Sequence, residues 1–243
     1  MIFYERKVVF LTYGDQKFKH SRNRVVQEAK QQGLFTDFVL ETDDIKKDFE
    51  FKKALESDRF KKVFEEVKGG GCYIWKPYVI YKNLLSLRNN DILVFADAGC
   101  KIPNDQKCKS KLNEYFRMLD NDERGIIGLR SHHLESEMSK GDVFDYFGVR
   151  HNKDICHSGK FSTGRQFIRK CDHSMRLYEK WWGIAKSDPH LFDSSPSVSK
   201  NFPNFIKHIW ESSTFSMLYK TMGVIDVLWT EEDVPIKATR IRK

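Results

Sequence analysis

Three short stretches of the chain carry residues suited to holding an anionic ligand. Residues 69–77 read GGGCYIWKP. Their glycines let the backbone take φ > 0 or approach a ligand closely. Trp75 offers a flat face for stacking. Lys76 stands at the start of a helix opened by Pro77, where an ammonium and free backbone N–H groups could together hold a diphosphate. Residues 89–100 read NNDILVFADAGC, in which the apolar run Ile92 to Ala96 ends on Asp97, Ala98 and Gly99. A carboxylate at a strand's carboxyl end can hold the divalent cation that a nucleotide diphosphate needs. Thr12-Tyr13-Gly14-Asp15 breaks the first apolar run and could receive a base and ribose. It has neither GxGxxG nor GxxxxGKS/T, so it is neither a dinucleotide fingerprint nor a P-loop. Each stretch also has a plain reading: an ordinary turn, a glycine loop over a core tryptophan, a strand ending in a turn.

These residues need a scaffold, and the hydrophobic pattern supplies one. Lys7 to Thr12 reads as a buried strand, residues 17–32 as a helix closed by Gly33, and Thr36 to Leu40 as a second strand. Strand, loop, helix, strand is the opening of a doubly wound nucleotide-binding sheet. If the first strand and residues 92–96 lie side by side, their carboxyl ends share one crevice. Residues 44–67 have helical spacing, Pro77 starts a helix to about Leu87, and residues 109–119 look helical. Gly125 to Leu129 is a short strand, 130–158 is irregular and polar, and Phe161 to Ile168 resembles one strand. A helix over Ser174 to Ala185 holds Trp181 and Trp182, more suited to a core than to a sugar platform. Ser187 to Pro203 is loop-rich, Phe215 to Met222 helical, and Gly223 to Leu228 a last strand. With no internal repeat and no linker, the economical reading is one α/β domain with a central mixed, mostly parallel sheet flanked by helices. Its nucleotide-binding half spans about 1–105 and its acceptor-binding half about 106–243.

The 243 residues are 40% hydrophobic and 14% aromatic, a globular composition with no run long enough to cross a membrane. The N-terminal MIFYERKVVFLTYG does not read as a signal peptide. Cys72, Cys100, Cys108, Cys156 and Cys171 are odd in number and form no CxxC pair, as expected of reduced thiols in a cytoplasmic protein. The His132, His133, His151 and His157 spacings fit no common zinc motif. Net charge is +8, but most basic residues alternate with acids along helices, so no nucleic acid is expected as a partner. The tail Lys237, Arg240, Arg242 and Lys243 is less compensated and could rest on a phosphate or a membrane surface.

GGGCYIWKPYVIYKNLL followed by NNDILVFADAGC resembles a family of glycosyltransferases with the type A (GT-A-like) fold, found in bacteria and large DNA viruses. There a Gly-Tyr-x-x-Trp-Lys-Pro stretch precedes an apolar strand ending in Asp-x-Gly-Cys, similar to the Asp-x-Asp signature that binds the metal and diphosphate of a nucleotide sugar. VVFLTYGD resembles the family's first strand and nucleoside loop. Glu135 with Met138 to Phe144 resembles a Glu-x-x-Trp-Thr-Lys-x-Asp-x-Phe segment. Ser158-Gly159-Lys160 with Gly164 resembles a Gly-Gln-x-x-Ala-Gly strand, and His208 to Ser213 a His-Arg-x-Asp-Gln-Ser stretch. Order and spacing, over roughly residues 7–223, carry the resemblance. Three of its departures bear on the chemistry. Gly99 stands where Asp-x-Asp has its second carboxylate, Glu211 where the family has Asp, and Ser212 where it has Gln.

The resemblance implies sugar transfer from a nucleotide diphosphate, UDP favoured, carrying a hexose or pentose. The acceptor would be a hydroxyl of a glycan or of a protein-linked or lipid-linked molecule. The implied cofactor is a divalent cation, Mn2+ or Mg2+, with Asp97 as its one direct ligand. Lys76, Asp97 and the backbone of Ala98 and Gly99 would hold the donor, with Thr12, Tyr13 and Gly14 at the nucleoside and Lys140 near the sugar. An inverting reaction needs a base at the acceptor hydroxyl; Glu211 is the first choice and Asp142 the second. Each has a plain role too, Glu211 as a helix N-terminal acid and Asp142 as an N-cap. The alternatives are a nucleotidyltransferase, or a non-catalytic protein that binds nucleotide or nucleic acid. The expected location is cytoplasmic, the host cytoplasm if the protein is viral.

Overall fold

The computed structural model describes residues 5–239; Arg240, Arg242 and Lys243 of the basic tail lie outside the described residues. In chain order the elements are β1 (Val8–Tyr13), α1 (Lys19–Gln32), β2 (Asp37–Glu41), α2 (Phe49–Leu55), α3 (Asp58–Phe64), a turn α4 (Gly69–Cys72), α5 (Lys76–Leu85) and β3 (Ile92–Ala96). Then follow α6 (Gln106–Asn121), β4 (Ile126–Leu134), α7 (Glu135–Met138), α8 (Gly141–Tyr146), α9 (Lys153–Cys156), β5 (Gly159–Phe161), β6 (Arg165–Arg169), α10 (Asp172–Ser187), α11 (Trp210–Met222) and β7 (Ile225–Leu228).

Among the described residues seven strands form one mixed sheet in the order β2-β1-β3-β6-β4-β5, with β7 also pairing β4. The fold class is the α/β one that the sequence implies. Parallel pairing governs its first half, β2-β1-β3. Beyond β3 the pairings to β6, β4 and β5 are antiparallel, and β7 runs parallel to β4. Because β1 and β3 are parallel neighbours, their carboxyl ends do open on one edge. The Thr12 hydroxyl ties those ends together by donating to the Ala96 carbonyl at 2.8 Å.

Strand periodicity divides the core into two layers. Val9, Leu11, Leu93 and Phe95 face α5, α10 and α11 through Val79, Trp181, Trp182 and Phe215. Val8, Phe10, Ile92 and Val94 face α1 and α6 through Val25, Ala29, Leu112 and Phe116. Strands covered on both faces read as unbroken apolar runs, which is why β1 and β3 were visible in the sequence. Trp181 and Trp182 are core residues, as expected. All five cysteines are free.

Several elements differ from their sequence reading. The helix expected over 44–67 is broken into a short 3-10 turn, α2 and α3. Asp48 is extended, and Ser57 caps α3 by accepting from the Phe60 amide. The single strand expected over 161–168 is two, β5 and β6, because the intervening Thr163 turns toward α11. Residues 130–158 hold the outer half of β4 and three short helices; the polar, partly exposed end of β4 and helices of four to six residues carry little periodicity. Helix α11 begins at Trp210, five residues early, since its first turn buries the polar side chains of Glu211, Ser212, Ser213 and Thr214. No helix of the described residues is long and apolar enough to cross a membrane.

Candidate functional site

At the edge where β1 and β3 end, Tyr13 leaves β1 and stacks on Trp75, with ring centroids 3.8 Å apart and planes 25° apart. Trp75 is 4% exposed, so the face it was expected to offer a ligand is covered by Tyr13. Tyr13 is the partly exposed ring of the pair. Gly14 is fixed by its amide to the Glu41 carbonyl at 3.1 Å, while its own carbonyl accepts from the Arg22 guanidinium. Asp15 accepts from the amides of Lys17 and Phe18, an ordinary cap.

The glycine stretch is not a loose loop. Gly69, Gly70, Gly71, Cys72 and Tyr73 all have positive φ, at 64°, 60°, 93°, 49° and 58°. A left-handed turn costs L-residues about 1–2 kcal/mol each, so Cys72 and Tyr73 are strained here. Gly71 is pressed against the Phe64 backbone, where a Cβ would lie 2.5 Å from the carbonyl oxygen. The turn is closed by the Trp75 indole, which donates to the Gly69 carbonyl at 3.0 Å. Its geometric result is that α5 starts with Lys76 pointing inward.

Lys76 is 1% exposed. Its Nζ lies 3.1 Å from Asp97 Oδ1 and 3.0 Å from Glu211 Oε1. The Thr163 hydroxyl donates to the same Glu211 oxygen at 2.8 Å. Burial works against the ammonium, but Asp97 and Glu211 outweigh it and hold the Lys76 pKa above its usual range. Burial pushes the Glu211 carboxyl up, against the pull of Lys76 and Thr163. Two carboxyl groups share the one ammonium. Only Asp97 faces the crevice: its side chain is 36% exposed, against 4% for Glu211. Glu211 follows Trp210, a partly exposed residue with φ of 31° whose indole donates to Ser194 Oγ. Strain on both sides of the triad, at Tyr73 and Trp210, is the kind that collects at ligand sites.

The Asp97 turn is held from outside. The Asp97 amide donates to the Gly164 carbonyl at 2.9 Å. Arg24 donates to the carbonyls of Ala98 and Cys100, and Thr239 donates to the Gly99 carbonyl at 3.2 Å. Asp97 is thus a single carboxylate already in contact with an ammonium. Gly99 contributes no side chain. Among the described residues no group of three or more His, Cys, Asp or Glu is placed to hold a metal ion. Without ligand oxygens this donor set is too small for a divalent cation, and its one exposed carboxylate is already paired with an ammonium.

Lys140 and Asp142 serve a different structure. Lys140, 1% exposed, pairs with Asp193 at 2.8 Å. Asp142 accepts from the amides of Val198 and Ser199 at 3.1 and 2.8 Å. Burial would raise the Asp142 carboxyl, but these amides and the Ser197 hydroxyl hold it below its usual range. Both residues anchor the loop over 193–199, and the Asp142 carboxylate is occupied by that loop. The structure therefore joins Thr12, Tyr13, Trp75, Lys76, Asp97 and Glu211 at one edge. Sequence reasoning did not single out Thr163, Arg24 or Tyr73; Thr163 and Arg24 act through partners distant in sequence, and the left-handed backbone of Tyr73 has no mark in a non-glycine residue.

No family model matches the sequence. No curated protein matches it either. Among solved structures the chain is similar to mouse xyloside xylosyltransferase 1 in its apo form, at 11% identity and a TM-score of 0.49, over 92% of this chain and 85% of that one. It is similar to a glycosyltransferase involved in glycosylating the major capsid of PBCV-1, at 11% identity and a TM-score of 0.45, over 92% and 82%. It is also similar to the bifunctional glycosyltransferase WbbM, at 11% identity and a TM-score of 0.48, covering 94% of this chain and only 40% of that one. Likenesses this distant assign no donor, acceptor or reaction to the chain.

Proposed function

We propose that the protein is a nucleotide-sugar glycosyltransferase. It moves a hexose or pentose, from UDP by preference, to a hydroxyl of a glycan or of a protein-linked or lipid-linked acceptor. One observation carries the reading: Asp97, the exposed member of a buried charge triad, lies at the carboxyl end of β3 beside the Tyr13–Trp75 stack at the end of β1. Ligands of open α/β sheets bind at that edge. The half of the chain up to about residue 105 holds the donor, and the remainder receives the acceptor.

In this account the outer face of Tyr13 takes the base. The guanidinium groups of Arg22 and Arg24, which hold the Gly14, Ala98 and Cys100 carbonyls, bring positive charge to the two loops that flank the diphosphate. Transfer is inverting. A carboxylate takes the acceptor proton, the acceptor oxygen bonds to the anomeric carbon on one face, and the bond to the diphosphate oxygen breaks on the other. Asp97 is better placed for the proton than Glu211, which is 3% exposed and already bound to Lys76 and Thr163. Glu211 is then a positioning residue acting through Lys76. Asp142, held by the loop amides, is not the base. The test is UDP release from a panel of UDP-sugars with oligosaccharide acceptors. Asp97→Ala abolishes turnover, and Glu211→Gln lowers it while sparing donor binding. Full turnover in both variants would sink the site assignment.

A further inference from the structure

The Lys76 ammonium sits between two carboxylates that come from opposite parts of the chain, one ending β3 and one opening α11. That is the bridging position a cation would take between Asp97 and Glu211. The chain commits strain to put it there. The left-handed turn from Gly69 to Tyr73 delivers Lys76 to the interior, and Gly71 leaves no room for a side chain against Phe64. The aromatic rings of Tyr73 and Phe95 lie 5.0 and 5.5 Å from Nζ and favour a cation in that place. The carbonyls of Ala98, Gly99 and Cys100, which could have completed a metal shell, are taken by Arg24 and Thr239.

We propose that Lys76 is the resident cation of this site, replacing a divalent ion, and that Asp97 meets its ligand as a bare carboxylate that accepts hydrogen bonds from sugar hydroxyls. A dication at Asp97 would stand against an ammonium 3.1 Å from the same carboxylate and would find no second acidic side chain at Gly99. The open side of the triad is carboxylate oxygen, which repels a phosphate and accepts from neutral donors. An ionised carboxylate is acceptor-only, and a sugar hydroxyl is the neutral donor a glycosyltransferase must hold. Glycine at 164 keeps the space clear: a Cβ there would lie 2.9 Å from Asp97 Oδ2. The hydroxyl part of the proposal rests on the transferase reading; the metal part does not.

The test uses the protein as it is. Free Mn2+ is followed by electron paramagnetic resonance as wild-type protein and Asp97→Asn are added without nucleotide. The expected result is the same weak depletion of free Mn2+ by both. A stoichiometric Mn2+ site in the wild type that Asp97→Asn removes would overturn the proposal. In a second arm, a UDP-sugar is titrated into wild-type protein with EDTA and again with Mn2+. Affinities within about twofold support the proposal, and a gain of about tenfold or more with Mn2+ overturns it. If no nucleotide sugar binds in either buffer, the transferase reading fails, while a stoichiometric Mn2+ site on the protein alone would still overturn the metal part.

Discussion

Tyr13 and Trp75 form one stacked pair at the β1 end of the β1/β3 edge, the buried indole backing the partly exposed phenol ring. The phenol therefore carries the outer face. A base stacked on it contributes about 1–3 kcal/mol. Tyr13→Ala is expected to weaken uridine nucleotide binding about tenfold or more, and Tyr13→Phe to leave it nearly unchanged. Calorimetry with UDP reads the difference. Equal affinity in the wild type and Tyr13→Ala would remove Tyr13 from the site.

Lys76 stabilises the fold as well as the site. Lys76→Met leaves Glu211 buried without its cation, and breaking a buried pair from one side costs about 3–5 kcal/mol. Adding Glu211→Gln removes the orphaned charge and recovers part of the loss. Urea unfolding of the wild type, the single and the double variant checks this. A single-variant loss below about 1 kcal/mol would contradict the buried pair.

His208 gives the protein an acid-sensitive joint. Its Nδ1 accepts from the Lys140 amide at 3.3 Å, and its Nε2 donates to the Leu191 carbonyl at 2.9 Å, so the ring is neutral as placed. Burial, then the charges of Lys140 and Lys160, hold its pKa well below the ordinary 6.5. A histidine depressed in the folded state contributes stability above its unfolded pKa and loses it as pH falls. The loss begins near 6.5, at up to about 1.4 kcal/mol per pH unit. Melting temperatures between neutral and mildly acidic pH should drop more in the wild type than in His208→Gln. Parallel curves would show that His208 is not the group responsible.

Gly71 and Gly33 separate crowding from strain. Both have positive φ, but a Cβ at Gly33 meets nothing within 4 Å, whereas one at Gly71 meets the Phe64 backbone. Gly33→Ala is expected to cost about 1–2 kcal/mol of left-handed strain. Gly71→Ala must also displace backbone and should cost more, and because Lys76 follows this turn it should weaken donor binding. Chemical denaturation ranks the two; equal losses would mean that the turn at Gly71 yields freely.

The legible part of this molecule was local. β1 and β3 showed as apolar runs, Gly33 as a helix stop, and Asp97 as a carboxylate closing a strand. The partners of Asp97 were present in the sequence but not their contact, because Lys76 and Glu211 meet across 135 positions. Trp75 was read as an open stacking face since nothing local reveals that Tyr13 covers it. The start of α11 was hidden because its first turn buries polar residues, which apolar periodicity does not register. Asp142 read as a second-choice base or as an N-cap; the amides of Val198 and Ser199 identify it as a loop anchor.

The central claim is that the Tyr13–Asp97 edge binds a nucleotide sugar. Titration calorimetry with UDP, GDP and several of their sugars, on the wild type and on Asp97→Ala, tests it most directly. The account predicts saturable binding of a UDP-sugar by the wild type and its loss in Asp97→Ala, with UDP alone still bound through the Tyr13 ring. Absence of binding by every nucleotide, or undiminished UDP-sugar binding in Asp97→Ala, would contradict it.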